Sequence, residues 1–337
     1  MEKSAIIVAA GALCLRIAAP AAAEPVAGTP FQVNTYTTGE QSEAVVCQGA
    51  DGRFAIAWTS FVQDAGTRGV YAQRHAADGA PAGTEFQVNV YTPGVQQAPG
   101  MCCDDAGRFV VVWRGADANG GGVFGRRFDA QGAPLGTEFP LNTFTTGNQQ
   151  TPRVACNAGG DFAAGWTSVG QDGDSFGVYA QRFSSTGAPS GTEFQVSTHT
   201  TGLQDLATPA LAADGGLVIA WEDGVRDGSA EGIFARRYDS SGAPAGTEFR
   251  VNGQTTDDQF GPTLGIDAAG KFVVTWTSRN QDGDQYGVFA RRFGADAAPL
   301  GTEFLVNSYT TGIQRANEWQ ALAVDRTGGF VVAWFST

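Results

Sequence analysis

Lysine is almost missing from this 337-residue chain, with Lys3 and Lys271 the only two. Schiff-base chemistry and phosphate-cradling lysine loops have nothing to work with, and no GxxxxGK[ST] segment occurs. Histidine is as scarce, with His75 and His199 alone. No GxSxG, HExxH or Cys–His arrangement is present, and paired carboxylates for glycoside hydrolysis do not stand out from the repeated turns. The 21 Lys and Arg stand against 34 Asp and Glu, a net charge of −13. Nucleic acid and anionic membranes require clustered basic residues, so both are disfavoured as partners. Beyond the N-terminal segment, no apolar run approaches the length of a membrane span.

The N-terminal segment is a different matter. Glu2 and Lys3 precede an apolar stretch from Ala5 to Ala19, and Ala21-Ala22-Ala23 offers a small-residue cleavage site before Glu24. This pattern predicts a secretory signal peptide over residues 1–23 and a single domain over 24–337. Arg16 interrupts the run, which is short for an anchor. The expected destination is the periplasm, the cell surface or the medium, where acidity serves solubility and disulfides persist.

What the chain has in plenty is itself. Trp58, Trp113, Trp166, Trp221, Trp276 and Trp334 each close an apolar run such as RFVVVW, 53 to 58 residues apart. Gly28, Gly83, Gly136, Gly191, Gly246 and Gly301 each open a GTxF tetrapeptide in step with them. A fixed period of this size means a repeat architecture. Each copy divides into four short runs rich in Val, Phe, Trp and Tyr, separated by Gly, Asp, Asn and Pro. Four strands per repeat predict an all-β, six-bladed β-propeller built on about 54 residues per blade. The last copy has only its first two strands, and GTPFQVN at 28–34 supplies a lone fourth strand that would close it.

Two pairings follow from the alignment of copies. Cys47 and Cys102 share one register, and Cys103 and Cys156 the next. The simplest disulfides are Cys47–Cys102 with Cys103–Cys156, against the alternative of free buried thiols. No CxxC spacing suggests zinc. Arg74, Arg127, Arg182, Arg237 and Arg292 each precede the Glu of GTEF by 11 residues. That spacing predicts a cross-strand Arg–Glu pair in each complete copy.

Strand parity puts the two longer loops of each copy on one face, the natural place for a ligand. The first carries Gln41, Gln96, Gln149, Gln204, Gln259 and Gln314, with Tyr36, Tyr91, Phe144, His199 and Tyr309 five residues earlier. An amide beside an aromatic ring suits a sugar, but a glutamine present in every copy also suits a blade-packing turn. The second loop contains Asp172 with Asp174, and Asp282 with Asp284, either a calcium site or polar turns. The last copy departs with Glu318 and Trp319, a ligand platform or a plug. His75 and His199 occupy aromatic positions and read as fillers.

The GTEFQVN, YTTGxQ, FVVVW and QDGDxYGVFAQRF segments resemble the tandem repeats of large secreted bacterial proteins, over residues 28–337. That resemblance implies an exported propeller; those proteins often also carry calcium-binding or adhesin modules. It supplies no catalytic residue. The expectation is therefore a non-enzymatic binding or adhesion propeller that recognises an extracellular glycan or protein. The alternatives are a polysaccharide-active hydrolase or lyase, or a structural spacer of a larger surface protein. Equivalent pockets between blades would favour a lectin, and an asymmetric acidic pocket at the central channel an enzyme.

Overall fold

The computed structural model describes residues 7–9, 30–64, 67–117, 120–224, 226–316 and 321–337. Among them every regular element is a strand, and pairing is antiparallel apart from a few short parallel bridges. Five copies each form four strands hydrogen-bonded in chain order. In the first copy these are Gln41–Gln48, Phe54–Asp64, Thr67–His75 and Phe86–Gln87.

The second strand explains the sequence period. Phe109 to Trp113 are buried without alternation, as expected for a strand with neighbours on both edges and a sheet against each face. The tryptophans ending these runs in the five complete copies are 0–1% exposed. A buried tryptophan removes roughly 150–250 Å² from water, worth about 4–6 kcal/mol as an upper figure.

First strands of consecutive copies pack on one another, and those of all six line one cavity, from Val45 round to Leu322. Each of the five complete first strands carries a β-bulge just after its glutamine. Glu43, Ala98, Thr151 and Leu206 sit there with φ of 57°, 55°, 50° and 58°. The bulge turns its N–H out of the ladder. Ala98 donates to Glu43 Oε2 of the preceding copy at 2.8 Å, and Leu206 to Thr167 Oγ1 at 3.3 Å.

The expected Arg–Glu pairs do not form. Each GTEF glutamate instead accepts backbone N–H groups from the loop that follows the preceding fourth strand, about 50 residues earlier. Glu85 takes Thr35, Glu138 takes Val90 and Tyr91, Glu193 takes Thr143, and Glu303 takes Gly253 and Gln254. The arginines reach forward to carbonyls of the next copy, Arg74 to Ala130 at 2.8 Å and Arg182 to Asp239 at 2.9 Å. A short hairpin places the two side chains near one another, but each finds its partner on an adjoining sheet.

The disulfides also differ from expectation. Residues at one register of consecutive inner strands point the same way around the assembly, because side chains alternate faces along a strand. Cys47 and Cys102 therefore both face onward and cannot meet. The bonds join registers one apart, Cys47–Cys103 and Cys102–Cys156, with Cα atoms 5.4 and 5.5 Å apart.

In the last copy Gln314–Ala316 pairs with Trp334–Ser336, and Leu322–Val324 with Phe330–Val332. Trp334 is 41% exposed, unlike its five counterparts. The N-terminal strand Pro30–Gln32 packs on the first copy, with the Phe31 ring 5.2 Å from His75 as Phe86 lies 5.4 Å from Phe128. Its hydrogen-bonded neighbour is Ile7–Ala9, from the segment read as a signal peptide. Arg326 in a turn of the last copy forms an ion pair with Asp105 of the second.

Peptide mapping without reductant should return Cys47–Cys103 and Cys102–Cys156, and recovery of Cys47 with Cys102 would refute this arrangement. Removing one bridge as Cys47→Ser with Cys103→Ser should cost about 2–4 kcal/mol. His75 is buried, stacked on Phe54 at 5.0 Å, and burial holds its pKa below the ordinary 6.5. The neutral ring is thus favoured in the fold. Its contribution is complete above 6.5 and is lost as pH falls through the lowered folded value. His75→Phe, matching Phe128 and Phe183, should flatten the acid side of a Tm–pH curve; parallel curves would count against this.

Candidate functional site

The structure places the six glutamines that recur in the repeat inside the sheets. Gln41 and Gln96 accept the indole N–H of Trp58 and Trp113 at 3.1 and 3.0 Å. Each of the six donates its Nε2 to the carbonyl three residues earlier, as Gln204 does to Thr201 and Gln314 to Thr311. Gln149 and Gln259 use the other end of the amide to accept from Asn142 and Asn252. All six fasten their own turn, and Gln41 and Gln96 also tie it to the tryptophan; buried as they are, they present no ligand-facing surface. The aromatics five residues earlier differ: Tyr36 is half-buried, while Tyr91 and Tyr309 are 51% and 60% exposed. Trp319 and Glu318 lie outside the described residues.

The acidic loops hold protein rather than converging on an ion. Asp174 Oδ2 accepts the Gly202 N–H, and Asp284 Oδ2 the Gly312 N–H, both at 2.9 Å. Bonds from Gly312 and Gln285 hold the Asp284 carboxyl below the ordinary 3.8. Asp282 Oδ2 accepts from Asn307, and Asp172 Oδ1 from the Asp174 N–H. Among the described residues no three His, Cys, Asp or Glu side chains converge as a metal site.

Two cavities recur between sheets on the short-turn side, one beside Arg74 and His75 and one beside Arg127 and Phe128. At about 20 and 10 Å³ they hold roughly one water each. The central cavity is larger, about 90 Å³, and Arg153 is the one charged side chain among its described lining residues. All three fall below the roughly 300–1,000 Å³ of small-molecule sites. An extended chain would have to bind across the open loop face.

The fourth copy is where the repeat breaks on that face. Its second strand ends Trp221-Glu222-Asp223, where three others end in Trp-Thr-Ser. Asp223 is fully buried and meets His199 of the preceding loop, Oδ2 to Nδ1 at 3.1 Å. The His199 side chain is 30% exposed. Arg226 replaces the glutamine that elsewhere donates to the latch glutamate, as Gln63 does to Glu85 at 2.6 Å. It pairs with Glu248, whose other oxygen accepts the Thr198 N–H at 2.5 Å beside His199. A histidine, a buried carboxylate that orients it and an arginine are thus gathered at one junction. Reading His199 as a filler overlooks its partner; the signal was present in the WEDG departure, 24 residues further along.

The other symmetry-breaking acids are occupied. Glu43 accepts from Thr59 at 2.6 Å and from Ala98, Asp205 from Leu206 at 2.7 Å, and Glu222 from Gly261 at 3.0 Å. They stitch bulges to neighbouring sheets.

The architecture is that of a propeller-like all-β fold. No protein-family model matches the chain, and no curated protein does. Several solved structures share the fold. A polysaccharide lyase described as ulvan lyase, bound to -[GlcA(1-4)Rha3S]-, superposes with a TM-score of 0.56 at 11% identity, covering 84% of this chain and 76% of its own. The α-L-arabinanase of Penicillium chrysogenum, complexed with arabinobiose, gives 0.52 at 11% identity over 78% and 80%. A protein of unknown function from Dyadobacter fermentans gives 0.51 at 12% identity over 80% and 83%. Identities this low establish shared fold alone. The expectation of a non-enzymatic binding or adhesion propeller gives way to its alternative, a polysaccharide-active hydrolase or lyase, because the structures that share this fold include a polysaccharide lyase and an arabinanase. No helix among the described residues is long and apolar enough to cross a membrane.

If the acidic loops are structural ties, Asp282→Ala, which removes the bond to Asn307, should destabilise the fold by about 1–2 kcal/mol and lower Tm. Calcium or a chelator should leave the Tm of the unsubstituted protein unchanged. A calcium-dependent rise would restore the metal reading.

Proposed function

We propose that the chain is an exported six-bladed propeller that cleaves polysaccharide, with His199 as the general base of an elimination. The observation that carries this reading is the contact between His199 and buried Asp223, two departures from the repeat that meet in space. With the Nδ1 proton donated to Asp223, the Nε2 lone pair is available to a substrate on the loop face. A base of this kind suits proton removal from the carbon beside a carboxylate, as in a uronate residue. The C–H electron pair becomes the new C=C bond as the C–O bond to the leaving sugar breaks, and that oxygen takes up a proton. Arg226, paired with Glu248, lies at the same junction, and a substrate carboxylate would share it with that glutamate. Tyr91 and Tyr309 supply exposed rings for stacking further along the face.

Hydrolysis by paired carboxylates fits less well, since Glu43, Asp205 and Glu222 are engaged with hydroxyls and backbone N–H groups. The lyase among the fold relatives was solved with a glucuronate-containing chain, which agrees with the choice of substrate class.

Incubation with uronate polysaccharides should yield unsaturated chain ends, seen by their ultraviolet absorbance. His199→Ala and Asp223→Asn should each lower kcat by at least about 100-fold. New reducing ends without unsaturation would make the protein a hydrolase. Intact substrate across a panel of uronate and neutral polysaccharides would end the enzymatic reading.

A further inference from the structure

In the repeat, an asparagine follows the fourth strand: Asn34, Asn89, Asn142, Asn252 and Asn307, all buried. Its Oδ1 accepts a third-strand N–H, from Val70, Val123, Ile233 and Val288 at 2.9, 3.0, 2.8 and 2.7 Å. In three copies its Nδ2 also donates to the acidic loop, at Asp64, Asp227 and Asp282. The third copy has Ser197 instead. A serine hydroxyl is too short for both partners. Asp172 Oδ2 is left buried with no hydrogen-bond partner, and Val178 loses its side-chain acceptor.

The hydroxyl turns to its own loop. Ser197 Oγ donates to the His199 carbonyl at 2.9 Å and accepts the His199 N–H at 3.1 Å. At Asn89 and Asn307 the side chain donates to the carbonyl two residues on, while its Oδ1 is taken by the third strand. The backbone of residue 199 is therefore held from both sides in the one loop whose ring contacts a buried carboxylate. The repeat gives up two bonds to its neighbours at the same place.

We propose that Ser197 is a positioning residue for His199, fixing the loop so that Nδ1 faces Asp223. Its effect on turnover rests on the reading of His199 as the base; its effect on the ring does not. Ser197→Asn restores the repeat and is expected to fold. It should raise Tm by about 1–3 °C, by returning partners to Asp172 and Val178, while kcat falls at least tenfold and KM stays within about twofold. The chain has only two histidines, so long-range 1H–15N NMR can assign each ring, with His75 as internal reference. His199 should be the Nδ1–H tautomer in the unsubstituted protein and lose that bias in Ser197→Asn. Ser197→Thr, which keeps the hydroxyl, should restore both tautomer and kcat. If Ser197→Asn raises Tm but leaves the His199 tautomer and kcat unaltered, the proposal is overturned. Were the unsubstituted protein to cleave nothing, the tautomer comparison alone would decide, and an unshifted ring would equally overturn it.

Discussion

A strand buried on both faces cannot be stable in a sheet that stands alone. The tryptophan strands make this demand in each complete copy, because Phe109 to Trp113 and their counterparts have no side facing water. One copy needs a second against it, the second needs a third, and the only arrangement without an exposed end is a closed circuit. The bulges, the glutamate latches and the arginines reaching forward all serve that requirement. Each is a polar device spent between sheets rather than within one.

This division of labour explains which parts of the molecule could be read from sequence. The period, the four strands and the all-β class follow from composition and spacing, since a Trp-ended apolar run and a GTxF turn are local signals. The partners of Glu85 or Cys47 are not local. Glu85 bonds Thr35 on the adjoining loop, and no spacing within its own hairpin points there. The cysteine pairing turns on which way each side chain faces, and aligning equal registers selects residues that face the same way. Gln41 and its kin were legible as a pattern, but sequence alone leaves a packing glutamine and a binding one identical.

The candidate site was hidden by the regularity that revealed the fold. His199 stands where four other copies have aromatic rings, and Asp223 where four have serine, so each looks like ordinary variation. Only the fold puts Nδ1 and Oδ2 3.1 Å apart. A repeat supplies the scaffold, and chemistry enters where several substitutions accumulate at one junction. Ser197, His199, Glu222, Asp223 and Arg226 do so between the third and fourth copies.

The offset disulfides divide the circuit mechanically. Cys47–Cys103 and Cys102–Cys156 lock the inner strands of three consecutive copies into one covalent block, while the remaining copies are held by non-covalent contacts. A local opening of the unlinked copies breaks no covalent bond. The His199 junction lies at the border between the two, with one wall inside the covalent block and the other outside it.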